Sequence, residues 1–463
     1  MKLAVYYGNR GFFPGEVIES ARAEMKSAIE KAGFEALEMD ASLTRYGAVE
    51  TIAEGKKYAA FLAEHHGEYD GVVVCLPNFG DENGAYYALK DAGVPILVQA
   101  YPDEIGKMDF AHRRDAVCGK IAMCNVFRQA GIKYTLTKHF AVNPLSDDFA
   151  EDLRIFGGIC RAVKGLKHFT VGAIGARTTA FKTVRVDEIA FQRKNINIET
   201  IDLSQVFTMM DNASEEKLEA KKAHLKEVSD FGNYPAIKLE NIARLAVALD
   251  ELIEAYALDS IAIRCWDELQ KRYGIAPCVI LGDLNEKGIN SACELDINNA
   301  VMMKALESAS NHPVMLFDVN NNYGEDRKKA ILFHCGPAPK SMMKGDCHIE
   351  EHLMFKKTFG EGSGVGLNVG KIIETETTLG SMKTEDGKLW AFVTEGRLTD
   401  DPIDEAFFGC GTVFEKKNGT AEDLLNYMST EGYRHHVAIA KGNWGEAVQE
   451  ALSKYLEYEI ETV

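Results

Sequence analysis

Three places in this chain carry residue types that together could hold a hard divalent cation and move protons beside it. The first runs from Tyr273 to Asp296 and delivers an acidic pair, Glu294 and Asp296, at the mouth of an apolar helix. The second is Phe317-Asp318-Val319-Asn320-Asn321, directly after an apolar run. The third is His435-His436, directly before one. Two carboxylates and an imidazole, each at the edge of a buried element, form a donor set suited to Mn²⁺ or Mg²⁺. Any one of them alone reads more readily as an ordinary turn residue. Their joint placement favours the metal.

The local settings sharpen the choice of residues. If residues 295–309 form a helix, positions two apart point about 200° from each other. Glu294 and Asp296 then reach one ion together only where the chain is irregular at Glu294. Glu294 is the preferred ligand, with Asp296 near the helix start, where its charge meets the helix dipole. Asp318 follows Pro313-Val-Met-Leu-Phe317 and opens an Asn-rich loop, as an Asx-turn or as ligand and base. His334 ends the strand 330–333 and begins the rigid run His-Cys-Gly-Pro-Ala-Pro, as a structural histidine or a site residue. His436 stands one step before Val437-Ala-Ile-Ala440, where a neutral imidazole can bind a metal.

The elements that must position these residues follow from hydrophobic period. Residues 3–7 read as a strand, 15–31 and 50–65 as helices, Gly71-Val-Val-Val-Cys75 as a strand buried on both faces, 83–92 as a helix and 94–98 as a strand. That alternation predicts a doubly wound α/β domain. Its ligand-facing edge would carry Gly8-Asn9-Arg10-Gly11 and Leu76-Pro77-Asn78-Phe79-Gly80, which makes Asn78 and Phe79 candidate substrate contacts. Neither loop has the glycine fingerprint of a dinucleotide site.

A second α/β unit begins at 169–175 and continues through 198–203. Asn212 with Glu215 reads as the N-cap of a charged helix over 212–230. Residues 256–264 and 277–281 read as further strands, with 265–273 as a helix between them. After about residue 310 the runs 371–379, 389–393 and 411–414 alternate between turn signals, which predicts a β-rich, barrel-like domain. The chain closes with a helix from 422, a strand at 437–440 and an amphipathic helix over 444–455. The expected domains are 1–165, 166–310 and 311–463. The Gly360–Gly366 stretch lacks the Lys-Ser/Thr ending of a phosphate loop.

Composition limits the function. At 463 residues the chain has room for about three domains. A formal charge of −18 disfavours a nucleic-acid partner. No apolar run of membrane-spanning length is present, and the N-terminus reads as a strand rather than a signal peptide. The ten cysteines show no paired spacing, which fits free thiols in a reducing cytoplasm. Arg113, Lys120 and Arg128 could supply an anion site or be solvated charges.

Two α/β domains followed by a β-rich domain resemble the L-fucose/L-arabinose ketol-isomerase superfamily. The motif Gly274-x-x-Pro277-Cys278…Leu284-Asn285-x-x-Gly288-Ile289-x-x-Ala292-Cys293-Glu294-x-Asp296 resembles its fucose-isomerase-like branch, as do Phe317-Asp318, His334-Cys335-Gly336 and His435-His436-Val437. The resemblance is strongest over residues 255–440. It implies Mn²⁺, with Mg²⁺ or Co²⁺ as alternatives, held by Glu294, Asp318 and His436. Glu294 and Asp318 would act as acid and base on an open-chain aldose through a cis-enediol. His334 and Asn320, with Asn78 and Phe79, would face the sugar; the arabinose branch places a metal ligand where His334 stands.

The resemblance further implies a homo-oligomer with sites built between subunits. The chain is shorter than typical fucose isomerases. Neutral pentoses, 6-deoxyhexoses and a 6-sulfonated sugar such as sulfoquinovose are all candidate substrates. A metal-dependent hydrolase or epimerase using the same residues is the competing class, and a sugar-binding module without catalysis is the third.

Overall fold

The computed structural model describes residues 1–404 and 407–463. Two compact units divide the chain, Met1–Lys164 and Gly165–Val463.

The first unit is built on five strands: β1 (Lys2–Tyr7), β2 (Glu35–Glu38), β3 (Gly71–Leu76), β4 (Ile96–Ala100) and β5 (Thr135–Leu136). They pair in parallel in the order β2-β1-β3-β4-β5, the order of a doubly wound sheet that reverses between β1 and β3. Every residue of β3 is buried, as a strand covered on both faces requires. The helices between strands start where the side chains can cap them. Thr51 accepts from the Glu54 amide at 3.3 Å and Asp81 from the Gly84 amide at 2.7 Å. Strands β2 and β5 escape a reading by pattern because neither has an apolar run.

The second unit opens with four parallel strands: β6 (Phe169–Ile174), β7 (Ile196–Ile201), β8 (Ser260–Ile263) and β9 (Asn290–Ala292), in the order β7-β6-β8-β9. Then the period changes. The strands β10 (Val314–Tyr323), β11 (Asp326–His334), β12 (Met343–Glu351), β13 (Val365–Ile372), β14 (Thr375–Glu385), β15 (Lys388–Thr399), β16 (Cys410–Lys416), β17 (His436–Lys441) and β18 (Glu459–Thr462) follow. Six of them run antiparallel in the order β14-β17-β10-β11-β16-β15, and β14 pairs back onto β15. The ring therefore closes on itself, around a core that includes Met315, Phe317, Leu332, Phe392, Phe414 and Ile439. Strands β12 and β13 form a separate antiparallel two-stranded sheet.

Several local readings change. Residues 277–281 are not a strand: Pro277 caps a helix, Cys278–Glu286, in which every residue from Cys278 to Asn285 is buried. With no solvent face, that helix shows no polar period, and a short apolar run cannot be told from a strand. Ser214, not Asn212, caps the helix Glu215–Val228, because Asn212 already ends the preceding helix. The strand expected over 256–264 is only Ser260–Ile263, since the helix before it runs to Ala255. The Asn-rich segment after Asp318 is not a loop but the continuation of β10, bulged between Val319 and Asn321. Among the described residues, no helix is long and apolar enough to cross a membrane.

Candidate active site

Strand register assembles most of the site. In the barrel, Asp318 on β10 stands opposite His436 on β17 and opposite Phe333 on β11. His334 is the next residue, at the end of β11, and its donor atom lies within 4.8 Å of those of Asp318 and His436. Glu294 arrives from the other architecture. Strand β9 ends at Ala292, and the turn Cys293–Leu295 carries Glu294 and Leu295 at φ 61°. A non-glycine residue in the left-handed region costs about 1–3 kcal/mol and is held only where its surroundings fix it. Here it lets Glu294 leave the helical path that would have separated it from the ion. Asp296 then caps the helix Ile297–Ser310 by accepting from the Asn299 amide at 3.2 Å.

The side chains converge on the His436 ring. Its Nε2 lies 3.2 Å from Glu294 Oε2 and 3.3 Å from Asp318 Oδ1, and its Nδ1 lies 2.9 Å from Asp296 Oδ2. Asp296 is fully buried. Burial raises its pKa, but the Arg434 charge and the hydrogen bond with His436 outweigh that and hold it well below the usual carboxylate range. Asp296 is thus an acceptor, so His436 Nδ1 donates to it and Nε2 faces the two carboxylates. Arg434 grips the other Asp296 oxygen. Asn299 Nδ2 donates to Asp296 Oδ2 at 2.7 Å, and the His436 carbonyl accepts from Ser381 Oγ at 2.9 Å.

Three atoms at the centre, Glu294 Oε2, Asp318 Oδ1 and His436 Nε2, are buried and have no hydrogen-bond partner. A cation placed among them, or a second proton on Nε2, is what such a set of lone pairs needs. The electrostatics say the same. Burial lowers the His436 pKa, yet the carboxylates of Asp296, Glu294 and Asp318 around the ring lift it well above the usual imidazole value. Burial likewise raises Glu294, and His436 brings it back below its ordinary value. The residues fit a divalent cation, and the donor atoms form two overlapping groups within 4.8 Å: Glu294 with His435 and His436, and Asp318 with His334 and His436.

The structure brings Glu294, Asp318, His436 and His334 together. It separates Asn320, which sits exposed at the β10 bulge. In the first unit Asn78 is fully buried, donating to Asn9 and to the Pro14 carbonyl at 3.1 Å and accepting from Gly80 N at 3.2 Å. Phe79 packs on Phe13 under the Arg10 guanidinium. Lys120 Nζ is buried against Thr137 Oγ1 at 2.8 Å and the Phe140 carbonyl at 2.9 Å, and Arg113 pairs with Asp115, so these two cations already have partners. Sequence reasoning missed Arg434, Asn299, Ser381 and the bond from Asp296 to His436. Only the Asp296 spacing gave any signal. The others depend on strand register.

Residues 4–167 match the family domain described as the fucose/sulfoquinovose isomerase N-terminal domain, and residues 332–462 match the L-fucose isomerase C-terminal domain. The chain belongs to the fucose/sulfoquinovose isomerase family. It is an aldose–ketose isomerase. A sulfoquinovose isomerase of Alkalicoccus urumqiensis is 23% identical over 84% of this chain and 86% of its own length. One from Priestia megaterium is 23% identical over 62% of each chain. Among solved structures, D-lactate dehydrogenase from Escherichia coli aligns with 67% of this chain and 95% of its own at 12% identity and a TM-score of 0.16.

Proposed function

We propose that this isomerase is metal-dependent, that Glu294, Asp318 and His436 hold the cation, and that its substrate is an open-chain 6-sulfonated aldose. The observation that carries the reading is the convergence of three unpartnered buried donor atoms in one place. Mn²⁺ fits their oxygen-and-nitrogen chemistry, with Mg²⁺ or Co²⁺ as alternatives. Such an ion supplies Lewis-acid polarisation of the carbonyl and its neighbouring hydroxyl.

The chain's own residues do the proton work. One of the carboxylates Glu294 and Asp318 removes the proton from the carbon beside the carbonyl, giving a cis-enediol(ate) whose remaining hydroxyl proton passes to the former carbonyl oxygen. The other returns a proton to the adjacent carbon. Each positioned acid or base typically contributes about 10²–10⁴-fold.

The sulfonated substrate is supported by the relatives and by charge at the same sheet edge. Arg264, directly after β8, and Arg177, just after β6, are half-buried and bond only to backbone carbonyls of Trp266 and of Thr178 and Thr179 among the described residues. Arg264 follows β8 and Glu294 follows β9, neighbouring strands that pair Ala262 with Ala292, so both lie beyond the same sheet edge. A guanidinium there could clamp a sulfonate.

We also propose a homo-oligomer with sites completed between subunits. Phe12, Ile105 and Phe110 in the first unit are 82–98% exposed, which supports a covering partner. The ten cysteines are free, which supports a reducing cytoplasm. The test is a panel of aldoses, sulfoquinovose included, given to metal-stripped protein with and without Mn²⁺. Mn²⁺-dependent ketose from sulfoquinovose is expected. Turnover of neutral sugars alone would remove the sulfonate assignment. Turnover without any divalent ion would remove the metal. Hydrolysis or epimerisation in place of ketose would move the site to the competing class.

A further inference from the structure

Two imidazoles face the same carboxylate in this site, and their ring nitrogens are committed in opposite ways. His436 gives Nδ1–H to Asp296 at 2.9 Å, which leaves a bare lone pair on Nε2. His334 does the reverse. The backbone N–H of Cys335 donates to His334 Nδ1 at 2.9 Å, and the Cys335 sulfur lies 3.3 Å from the same nitrogen. A nitrogen that accepts a hydrogen bond carries no proton in the neutral ring, so the proton of His334 sits on Nε2. That Nε2 is buried and has no partner. The His334 ring lies 6.1 Å from the His436 ring, centroid to centroid, and His334 belongs with Asp318 and His436 to one group of donor atoms within 4.8 Å.

We infer that His334 is not a fourth metal ligand but a hydrogen-bond donor to the substrate, giving Nε2–H to the oxygen on which negative charge builds during proton transfer. The inference rests on the isomerase reading above and goes further by assigning the one site histidine whose role that reading leaves open. A nitrogen that bears a proton has no lone pair for a cation, whereas a buried, unpartnered N–H aimed into the site is what a developing oxyanion requires. Removing one such donor typically costs about 10²–10³-fold in kcat. The turn that follows helps to fix the ring. Gly336 adopts φ 124°, and a Cβ there would meet the Asn368 backbone at 2.6 Å, so the chain leaving Cys335 is held where its N–H meets Nδ1.

The experiment compares wild type with His334→Ala and His334→Gln, each metal-stripped and titrated with Mn²⁺ followed by electron paramagnetic resonance, then assayed for ketose formation. The inference predicts Mn²⁺ affinity within about 3-fold of wild type in both variants, where loss of a ligand would weaken it far more. It predicts kcat down about 10²–10³-fold in His334→Ala, with part of the loss recovered in His334→Gln, whose amide N–H reaches the same place. A 10- to 100-fold fall in Mn²⁺ affinity would overturn it and make His334 a ligand, as would undiminished kcat in His334→Ala.

Should either variant fail to fold, histidine-labelled wild type loaded with diamagnetic Mg²⁺ gives the same answer by nitrogen NMR. A proton on His334 Nε2 and on His436 Nδ1 supports the inference; a bare His334 Nε2 overturns it. Wild type that binds Mn²⁺ but turns over no aldose would overturn the isomerase reading and this inference together. Wild type that is active, with variants of weakened affinity, would overturn this inference alone.

Discussion

Buried polar residues gather in two places in the chain, at the carboxyl edge of the first unit's parallel sheet and where the second unit's parallel sheet meets the barrel, and the two places use them differently. In the first unit, Asn9 donates to Glu50, Asn78 donates to Asn9 and to the Pro14 carbonyl, and Arg10 donates to the Gly80 carbonyl at 2.9 Å. These groups hold one another and the loops in place. In the second unit, Glu294, Asp318, His334 and His436 each keep one buried atom without a partner. An unmade hydrogen bond to a buried polar group costs about 1–3 kcal/mol, so four in one place mark a site that another species completes. Position at a sheet edge is therefore a poor guide by itself. Whether the polar groups are already satisfied separates scaffold from site.

The sharpest way to break the comparison is at the unsatisfied edge. Glu294→Gln or Asp318→Asn should lower turnover by more than about 10³-fold while the thermal transition stays intact, because each removes an acid or base and a ligand together. Wild-type turnover in either would end the assignment.

One step back from the centre, Asp296→Asn should weaken Mn²⁺ binding about 10- to 100-fold by releasing His436 from its orientation. It should also cost about 3–5 kcal/mol in stability, since Arg434 would lose its buried counter-charge. Chemical denaturation and a Mn²⁺ titration read the two effects separately.

The satisfied edge predicts a different profile. Asn78→Ala should cost about 1–3 kcal/mol in stability and leave Mn²⁺ affinity unchanged. Lost turnover with unchanged stability would restore Asn78 to the substrate-contacting role its loop suggested.

The smallest effect concerns the buried Lys120. Burial lowers its pKa from 10.5 to about 8, so the unfolded chain binds the extra proton between those values. Stability should therefore rise with pH across that window, as the penalty for a buried charge disappears. Measured against Lys120→Met from pH 7 to pH 10, wild type should gain at most about 3 kcal/mol. A flat difference would mean the ammonium is well solvated.

Much of this was legible in the sequence, for identifiable reasons. Strand β3 is a continuous apolar run between Gly and Pro, and no other element reads that way. Glu294, Asp318 and His436 stand where apolar runs begin or end, so they could be picked out one at a time. What joins them could not. The pairing of Asp318 with His436 is a matter of register across a closed barrel, and the left-handed turn at Glu294 has no glycine to announce it. The helix Cys278–Glu286 was hidden for the opposite reason, since complete burial removes the polar face that reveals helical period. Arg434 looks like any surface cation in the sequence, and becomes a site residue only because β17 begins two residues later beside Asp296.

The most direct test of the central claim is a Mn²⁺ titration of the metal-stripped wild-type enzyme beside Glu294→Gln, Asp318→Asn and His436→Asn. The account predicts one tight site per chain in wild type and at least 10-fold weaker binding in each variant, with every protein still folded. Binding of equal strength in wild type and all three variants, or none in wild type, would contradict it.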